Sequence, residues 1–268
     1  MAKRPPLLNT VSKEQLSKIR AVCFDIDDTI TNQGKLRAEA FGALWRLKEA
    51  GFCLVPVTGR PAGWCDHIAR FWPVDAVIGE NGAFIFYMGE SRLKRFDLLE
   101  DSERAVNQQQ LVKLRELISQ QFDQACWASD QQYREYDLAV DYCEDVTPWS
   151  SQKLQQLMEL CRKAGANFKL SSIHLNIWFG DYTKRSAIES WLLSGAVGAP
   201  FSPPPLADWI YVGDSPNDAP AFELFRQSVG VANIAPYLDT IDHCPTWLAL
   251  GEGGEGFLEL ADALIGAK

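Results

Sequence analysis

Two aspartates separated by one residue are the feature of this sequence with the clearest chemical potential. Asp25 and Asp27 lie in the segment Asp25-Ile26-Asp27-Asp28-Thr29, directly after the apolar run 21–24. Side chains alternate along a strand, so both carboxylates can point into the crevice at its carboxyl end, where doubly wound sheets bind ligands. Aspartates also cluster as helix caps and in solvated loops, and this segment alone leaves both interpretations open.

Phosphoryl transfer is the chemistry that such a pair would serve. A carboxylate that approaches a phosphoryl group meets like-charge repulsion, which Mg²⁺ and a lysine would offset. One aspartate would attack, while the other, protonated at the right moment, would handle the leaving oxygen. We therefore looked for further groups that could bind a cation or an anion.

Three further segments follow in order at the ends of other predicted elements. They are Val57-Thr58-Gly59-Arg60, Tyr182-Thr183-Lys184-Arg185 and Gly213-Asp214-Ser215-Pro216-Asn217-Asp218. Gly59 lets the backbone approach an anion, and Arg60 opens a predicted helix whose N-terminus is positive. Each segment is weak by itself, whereas their order is specific.

Each of these segments also has an ordinary structural interpretation. Thr58 and Gly59 could form a plain turn between a strand and a helix, and Lys184 alone would most often be a solvated surface lysine. Asp214 and Asp218, four residues apart at a strand-to-helix junction, could face one cation, but acids at a helix N-terminus are also favoured by the helix dipole. The combination favours the metal interpretation.

The elements around these segments alternate between helix and apolar strand. This pattern predicts a doubly wound, mostly parallel Rossmann-like sheet of α/β class. The turn Glu80-Asn81-Gly82 is expected to lead into a hairpin strand. The predicted helices cover 13–20, 37–50, 62–71, 184–193 and 219–225, and the predicted strands cover 21–24, 52–57, 76–78, 83–87, 209–212 and 229–231.

The composition changes between these two blocks. Residues 101–124 form a long polar helix by pattern, 133–142 alternate as an exposed-face strand, 150–164 form an amphipathic helix, and 173–179 alternate again. A separate α+β unit fits this region. We therefore predict a discontinuous core domain, 1–88 and 179–268, with an inserted cap domain at 89–178. The Gly-rich run 251–256 is predicted to be a loop.

Bulk properties exclude some classes of function. The net charge of −9 and pI near 4.9 argue against general binding to nucleic acid or anionic membranes. No stretch approaches the roughly 20 apolar residues of a membrane span, and the first residues lead into no signal core, so a cytoplasmic protein is expected. Seven scattered cysteines without a Cys-x-x-Cys pair favour free thiols over disulfides or zinc.

The four segments together resemble the haloacid dehalogenase superfamily. Its motifs, in order, are D-x-D-x-T, a Thr or Ser after the second strand, a Lys, and a G-D-x-x-x-D cluster; members frequently carry a glycine after the lysine, where this chain has Arg185. The resemblance implies Asp25 as a nucleophile that becomes an aspartyl phosphate and Asp27 as general acid and base. A phosphoric monoester hydrolase acting on a small phosphorylated metabolite, a sugar phosphate or a related ester, is the expected activity.

The resemblance also implies the remaining roles at the site. Thr58, Gly59 and Lys184 would bind the phosphate. Asp25, the carbonyl of Asp27 and Asp214 would ligate Mg²⁺, the implied cofactor. Asn217 and Asp218 would support that shell.

The place of the insertion resembles the type IIB cap of a subfamily that includes Cof-type sugar phosphatases, sucrose-phosphate phosphatase and mannosyl-3-phosphoglycerate phosphatase. The turn Glu80-Asn81-Gly82-Ala83 also recurs in that group. Substrate choice would then reside in the cap. The candidate substrate-binding residues are Arg60, Asn81, Arg134, His174, Asn176 and Trp178, with Tyr136 beside them, and ordinary sheet surface is the alternative for each.

Other functions were weighed against this one. A dehalogenase would not need the second acid, Asp27, or Mg²⁺. A phosphomutase uses the same motifs and differs only in where the phosphoryl group goes. A receiver-like module that accepts a phosphoryl group on Asp is about one average domain long and lacks a cap. A scaffold that lost its chemistry would not need all the reactive residues of the motifs.

Overall fold

The computed structural model describes residues 4–123, 125–171, 173–193 and 202–268. Within these ranges helices and strands alternate. The elements in chain order are α1 (Lys13–Leu16), β1 (Ala21–Phe24), α2 (Ala38–Glu49), β2 (Cys53–Pro56), α3 (Ala62–Phe71), β3 (Val77–Gly79), β4 (Phe84–Met88), β5 (Leu93–Asp97), α4 (Asp101–Gln121), β6 (Cys126–Trp127), β7 (Asp137–Asp141), α5 (Ser151–Lys163), β8 (Asn167–Leu170), β9 (His174–Trp178), α6 (Lys184–Leu193), β10 (Trp209–Gly213), α7 (Ala219–Leu224), β11 (Ser228–Gly230), β12 (Trp247–Leu248) and α8 (Gly254–Ile265).

A parallel sheet of five strands forms the centre, in the order β12-β11-β10-β1-β2. In its register Phe24 of β1 lies opposite Val212 of β10 and Pro56 of β2. The strands therefore end level with one another. The carboxyl ends of β1, β2 and β10 bring the residues that follow them to one edge of the sheet.

Helices cover both faces of this sheet because successive strand residues point to opposite sides. Val22 and Phe24 pack in a cluster with α2 and α8, and the Phe24 ring lies 5.2 Å from that of Phe257. Ala21 and Cys23 pack on the other side in a cluster with α6 and α7. The predicted doubly wound, mostly parallel α/β sheet is confirmed.

Two antiparallel sheets accompany the central one. β3, β4 and β5 form the first, and a single parallel bridge from Val57 to Ile78 joins it to the edge at β2. β6, β7, β9 and β8 form the second in that order, with α4 and α5 packed on one face. We call residues 101–178, which carry this second sheet, the inserted unit.

Several predicted elements differ from those observed. The helix predicted at 13–20 ends at Leu16, and the exposed-face strand predicted at 133–142 is β7, all five residues of which are buried. One face of β7 packs on helices, while the other faces the rest of the molecule. The strands at 93–97, 126–127, 167–170 and 247–248 were not predicted, because these segments are polar or only two residues long. β5 pairs with β4 across the predicted boundary at residue 88.

The Gly-rich run 251–256 is a loop only in its first half, so this prediction was wrong. Helix α8 begins at Gly254. Glycine is a poor helix former, but Phe257, Leu260 and Leu264 recur on one face and are fully buried. Packing of that face therefore outweighs the local propensity.

The cysteines of the described ranges are all free thiols. Cys23, Cys65 and Cys161 are buried, and Cys126 is exposed. Among the described helices, none is both long enough and apolar enough to cross a membrane.

Candidate active site

Four segments from distant parts of the chain meet at the carboxyl edge of the central sheet. Asp25 directly follows β1, and its backbone N–H donates to the carbonyl of Val212 at 2.9 Å. Thr58 follows β2, and Asp214 follows β10. The register of the parallel strands therefore positions these side chains together.

The ammonium group of Lys184 joins two of the acids. Its Nζ lies 2.7 Å from Oδ1 of Asp25 and 3.1 Å from Oδ1 of Asp218, and the side chain is 6% exposed. Burial alone would lower the pKa of Lys184, but Asp218 and Asp25 outweigh burial and raise it. Lys184 is therefore a buried cation at pH 7. Arg185 points elsewhere, to Glu189 and Glu223, so it does not disturb this contact.

The turn at Glu80–Gly82 supports the position of Lys184. Gly82 has φ +115°, and a Cβ on it would lie 2.3 Å from the carbonyl oxygen of Thr183. Only glycine permits both this conformation and this approach. The turn therefore packs directly against the start of α6, where Lys184 lies.

Asp218 is fully buried and has both oxygens occupied. Oδ1 accepts from Lys184 and from the hydroxyl of Tyr211 at 2.6 Å, and Oδ2 accepts from the backbone N–H groups of Asp214 and Ser215. A Cβ on Gly213 would lie 2.4 Å from Oδ2, which explains the glycine before Asp214. Asp218 thus shapes the loop and orients Lys184, and its remaining capacity for a ligand is small.

Asp214 is the other acid beside Asp25. The hydroxyl of Thr29 donates to its Oδ1 at 2.9 Å. Burial raises the pKa of Asp214 well above its ordinary value, and repulsion from Asp218 and Asp25 adds to this. Burial likewise raises the pKa of Asp25 to about 7, although Lys184 opposes the shift.

These acids fit a divalent cation. One carboxylate oxygen from each of Asp25, Asp214 and Asp218 lies within 4.8 Å of the others, and all three residues are buried. Carboxylate oxygens are hard ligands of the type that Mg²⁺ prefers. Because the oxygens of Asp218 are already engaged, Asp25 and Asp214 are the two carboxylates that would hold the ion. Burial raises the pKa of both and repulsion from Asp218 adds to it, and a bound cation would offset that repulsion.

Asp27 forms an ion pair with an arginine. Both carboxylate oxygens of Asp27 accept from Arg60, through Nη2 at 2.7 Å and Nε at 3.0 Å. The same guanidinium lies 3.8 Å from Asp130 of the inserted unit and 4.5 Å from the ring centre of Trp64. Arg60 therefore links Asp27, the expected general acid and base, to Asp130 of the inserted unit.

The hydroxyl of Thr58, at the sheet edge, can donate a hydrogen bond to a ligand. Its hydroxyl oxygen accepts from the backbone N–H of Arg60 at 3.0 Å. A hydroxyl has one donor and two acceptor positions. Among the described residues the Thr58 hydroxyl donates to none, so its proton can be offered to an anion beside Gly59.

A cavity of about 740 Å³ lies between this edge and the inserted unit. Such a volume is typical of small-molecule sites and exceeds what a phosphate alone would need. Of the predicted residues, those on the sheet side of its wall are Asp25, Asp27, Gly59, Arg60, Asn81, Asp214 and Asn217, and those on the other side are Arg134, His174 and Asn176. Thr58, Lys184 and Asp218 are not among its lining residues, but Lys184 contacts Asp25, which is. Lys169, Tyr142 and Asn233 line it without having been predicted.

Two of the residues predicted to bind substrate, Trp178 and Tyr136, do not line the cavity. Trp178 is 6% exposed, stacks on Tyr182 at 5.8 Å and belongs to the hydrophobic core, so the structure does not place it on the cavity. Tyr136 is buried and donates to Asp97. Alternation along β9 placed Trp178 on the same face as His174, but the cavity ends before the last residues of that strand.

Arg134 lines the cavity but is committed to structural contacts. Its side chain is 1% exposed and pairs with Asp130 and Asp137. Nη1 also donates to the carbonyl of Gly59 at 3.1 Å. Asn176 donates to Asp137 from the neighbouring strand. This network fixes the inserted unit to the Thr58 loop.

Glu80 is the functional residue that the sequence did not reveal. Its fully buried carboxylate accepts from the backbone N–H of Ala62, at the start of α3, and from those of Glu135 and Tyr136 in the inserted unit. The partners are distant in sequence, so no local pattern could have shown them. Glu80 joins the sheet edge to the inserted unit.

We expect Glu80→Gln to lower the stability of the protein. Gln keeps the volume but has one acceptor oxygen and a donating NH₂ group, so at least one buried backbone N–H loses its partner, at about 1–3 kcal/mol. Thermal unfolding should show a fall of several degrees. Glu90→Gln, an exposed glutamate on the β4–β5 turn, is the control. Equal melting temperatures for both variants would contradict the role given to Glu80.

Comparison with known proteins agrees with this description. Residues 22–137 match the family of haloacid dehalogenase-like hydrolases, so the resemblance predicted from the motifs is confirmed. Among curated protein sequences none matches the chain significantly.

Solved structures resemble the fold over nearly the whole chain. The sucrose-phosphatase of Synechocystis sp. PCC6803, solved with sucrose and phosphate, has a TM-score of 0.63 at 17% identity and covers 92% of this chain and 97% of its own. The trehalose-6-phosphate phosphatase C-terminal domain of C. albicans has a TM-score of 0.68 at 12% identity, covering 98% and 99%. A Thermoplasma acidophilum protein has a TM-score of 0.69 at 16% identity, covering 92% and 98%.

Proposed function

We propose that this haloacid dehalogenase-like hydrolase is a Mg²⁺-dependent phosphatase that removes the phosphate from a small phosphorylated metabolite through an aspartyl phosphate on Asp25. The observation that carries the proposal is the contact of a buried lysine with Asp25, together with an oxygen of Asp214 within 4.8 Å of an oxygen of Asp25. The similarity in fold to a sucrose-phosphatase and to a trehalose-6-phosphate phosphatase domain supports a sugar phosphate or a related ester as the substrate class.

The first step forms a bond between a carboxylate oxygen of Asp25 and phosphorus. The bond from phosphorus to the leaving oxygen breaks, and Asp27 gives that oxygen a proton. Lys184, from behind Asp25, and the hydroxyl of Thr58 stabilise the negative charge on the phosphoryl oxygens. Asp27 must leave Arg60 to reach the leaving oxygen, and an incoming anion gives Arg60 an alternative partner.

The second step returns the enzyme to its starting state. Water attacks phosphorus, Asp27 takes a proton from that water, and the bond between phosphorus and Asp25 breaks. Inorganic phosphate and the unchanged carboxylate of Asp25 result. A Mg²⁺ ion held by Asp25, the carbonyl of Asp27 and Asp214 would supply positive charge to the phosphoryl oxygens. The inserted unit excludes bulk water from the cavity while this happens.

A panel of phosphorylated sugars and small metabolites tests the proposed function. We expect purified protein with Mg²⁺ to release inorganic phosphate from at least one member and to release none after chelation of the metal. Product analysis separates a phosphatase from a phosphomutase, because a mutase would return a rearranged ester instead of phosphate. Absence of phosphate release across the panel with Mg²⁺ would overturn the proposal.

Asp214→Asn should lower the activity of the protein without lowering its stability. Because the pKa of Asp214 is raised in the folded state, its charge at pH 7 costs stability, and a neutral amide removes that cost. The amide oxygen can still accept from Thr29. We expect metal-free Asp214→Asn to unfold at a higher temperature than metal-free wild type, while activity with Mg²⁺ falls at least about 100-fold.

Thermal unfolding with and without Mg²⁺ checks this expectation. Wild-type protein should be stabilised by Mg²⁺, because the ion binds the folded state, and Asp214→Asn should respond much less. Asp239→Asn, which neutralises an exposed aspartate, is the matched control and should respond as wild type does. An unchanged response to Mg²⁺ in Asp214→Asn would show that this residue is not a ligand.

A further inference from the structure

We propose that Lys169 binds a second anionic group on the substrate, so that the preferred substrates are phosphate monoesters whose leaving group carries a carboxylate or a further phosphate. This inference rests on the proposed phosphatase function and specifies its substrate class. It concerns a residue of the inserted unit outside the catalytic motifs.

Lys169 faces the cavity from the edge strand of the inserted unit. It lies on β8 and pairs in register with Asn176 of β9. Both residues line the cavity, as does His174 of the same strand β9. The opposite wall carries Asp25 and Asp214. Lys169 therefore approaches a bound phosphate ester from its leaving-group side.

The charge of Lys169 is unbalanced in a way that the other cations of this wall are not. Arg60 pairs with Asp27, and Arg134 pairs with Asp130 and Asp137. For Lys169, no carboxylate oxygen of the described residues lies within 4.0 Å of its Nζ. Among the described residues of the wall, Lys169 is thus the cation that gives up no carboxylate partner when it binds a ligand.

This lysine is also partly buried. Burial lowers its pKa, and repulsion from Lys184 lowers it further. Lysines on edge strands often have no other role than to prevent pairing with another strand. Such lysines extend into water, whereas Lys169 is partly buried. Asp218 and Asp242 act on it from a distance and raise its pKa. A partly buried ammonium group with no carboxylate in contact has lost part of its hydration, and an anion on the substrate would offset that loss.

A second residue, Asn81, also favours a ligand with several hydrogen-bond acceptors. Asn81 is 6% exposed, lines the cavity from the sheet side, and its Nδ2 has no hydrogen-bond partner among the described residues. Buried donors of this kind are usually satisfied. Lys169 and Asn81 together offer donors from both walls, which suits an anionic leaving group better than an apolar one.

Matched substrate pairs test the inference. One pair is glucuronic acid 1-phosphate and glucose 1-phosphate, which share a pyranose ring and differ in a carboxylate; the other is fructose 1,6-bisphosphate and fructose 6-phosphate, which share a furanose ring and differ in a phosphate. We expect wild-type protein to prefer the more anionic member of at least one pair. Lys169→Met should lower kcat/KM for that member about 10- to 100-fold and change the less anionic member less than about threefold.

Two further variants make the result specific. Lys169→Arg keeps the charge and should retain most of the preference. Lys163→Met, which removes an exposed lysine of α5 in the same unit, should leave both members unchanged.

Three outcomes would overturn the inference. If wild-type protein shows no preference within either pair, Lys169 does not bind a second anion. If Lys169→Met lowers kcat/KM equally for both members of a pair, Lys169 acts on the transferred phosphoryl group instead. Both results leave the phosphatase function intact. Failure to hydrolyse all four esters and p-nitrophenyl phosphate would instead overturn the proposed function, and this inference with it.

Discussion

Asp25→Asn should reduce phosphate release by about 10⁴-fold or more while the protein stays folded. The amide cannot form the bond to phosphorus, so the covalent route is closed. The fold should tolerate the change because burial already raises the pKa of Asp25 to about 7, which means that the neutral form is readily accommodated. Lys184 can donate to the amide oxygen as it does to the carboxylate.

Steady-state phosphate release with saturating Mg²⁺ measures this effect. Circular dichroism and thermal unfolding of the same preparation serve as the control for folding. Asp239→Asn should keep full activity, which separates the loss of one exposed charge from the loss of the nucleophile. Activity in Asp25→Asn within tenfold of wild type would contradict the assigned role.

Lys184→Met should damage both activity and stability. The substitution leaves Asp25 and Asp218 buried without a cation, a change that costs about 3–5 kcal/mol when one partner of a buried pair is removed. It also removes a charge that stabilises the transferred phosphoryl group, so activity should fall about 10³-fold. Lys18→Met, an exposed lysine near the N-terminus, should change neither quantity.

A double-mutant cycle with Asp25→Asn tests the cause of the instability. If the stranded carboxylate is responsible, adding Asp25→Asn to Lys184→Met should recover part of the lost free energy of unfolding without recovering activity. Should the double variant be no more stable than Lys184→Met, the instability would come from lost packing rather than charge. Denaturant unfolding of the four proteins gives the coupling energy.

The sheet edge could be predicted from sequence because its signals are local. The strand before Asp25 is a compact apolar run that ends in carboxylates, and the strands before Thr58 and Asp214 end in the same abrupt way. Parallel strands place such ends at one edge. The order of the strands, with β1 between β10 and β2, comes from the structure and was not predicted.

The contacts between the sheet edge and the inserted unit could not be predicted in this way. Glu80 looks like part of a turn, and only the fold shows that its carboxylate holds the N–H groups of Glu135 and Tyr136. The pairing of Arg60 with Asp27 is likewise set by tertiary structure. Single polar residues with distant partners leave no periodic signal in the sequence.

The alternation of side chains along a strand did not predict correctly which residues line the cavity. His174, Asn176 and Trp178 share one face of β9, yet the first two line the cavity and Trp178 packs in the core. Lys169 lies on a strand of four residues, too short for a clear pattern. Where the cavity ends along a strand depends on the packing of neighbouring elements, such as Tyr182 against Trp178.

Covalent labelling of Asp25 is the most direct test of the central claim. In Asp27→Asn, p-nitrophenyl phosphate should still transfer its phosphoryl group, because nitrophenolate leaves without a proton, whereas water attack should slow without its base. With Mg²⁺ we predict a stoichiometric burst of nitrophenolate and, after acid quench, peptide mass spectrometry that places the phosphoryl group on Asp25. A burst with the phosphoryl group on another residue, or turnover at the wild-type rate without a phosphorylated peptide, would contradict the account.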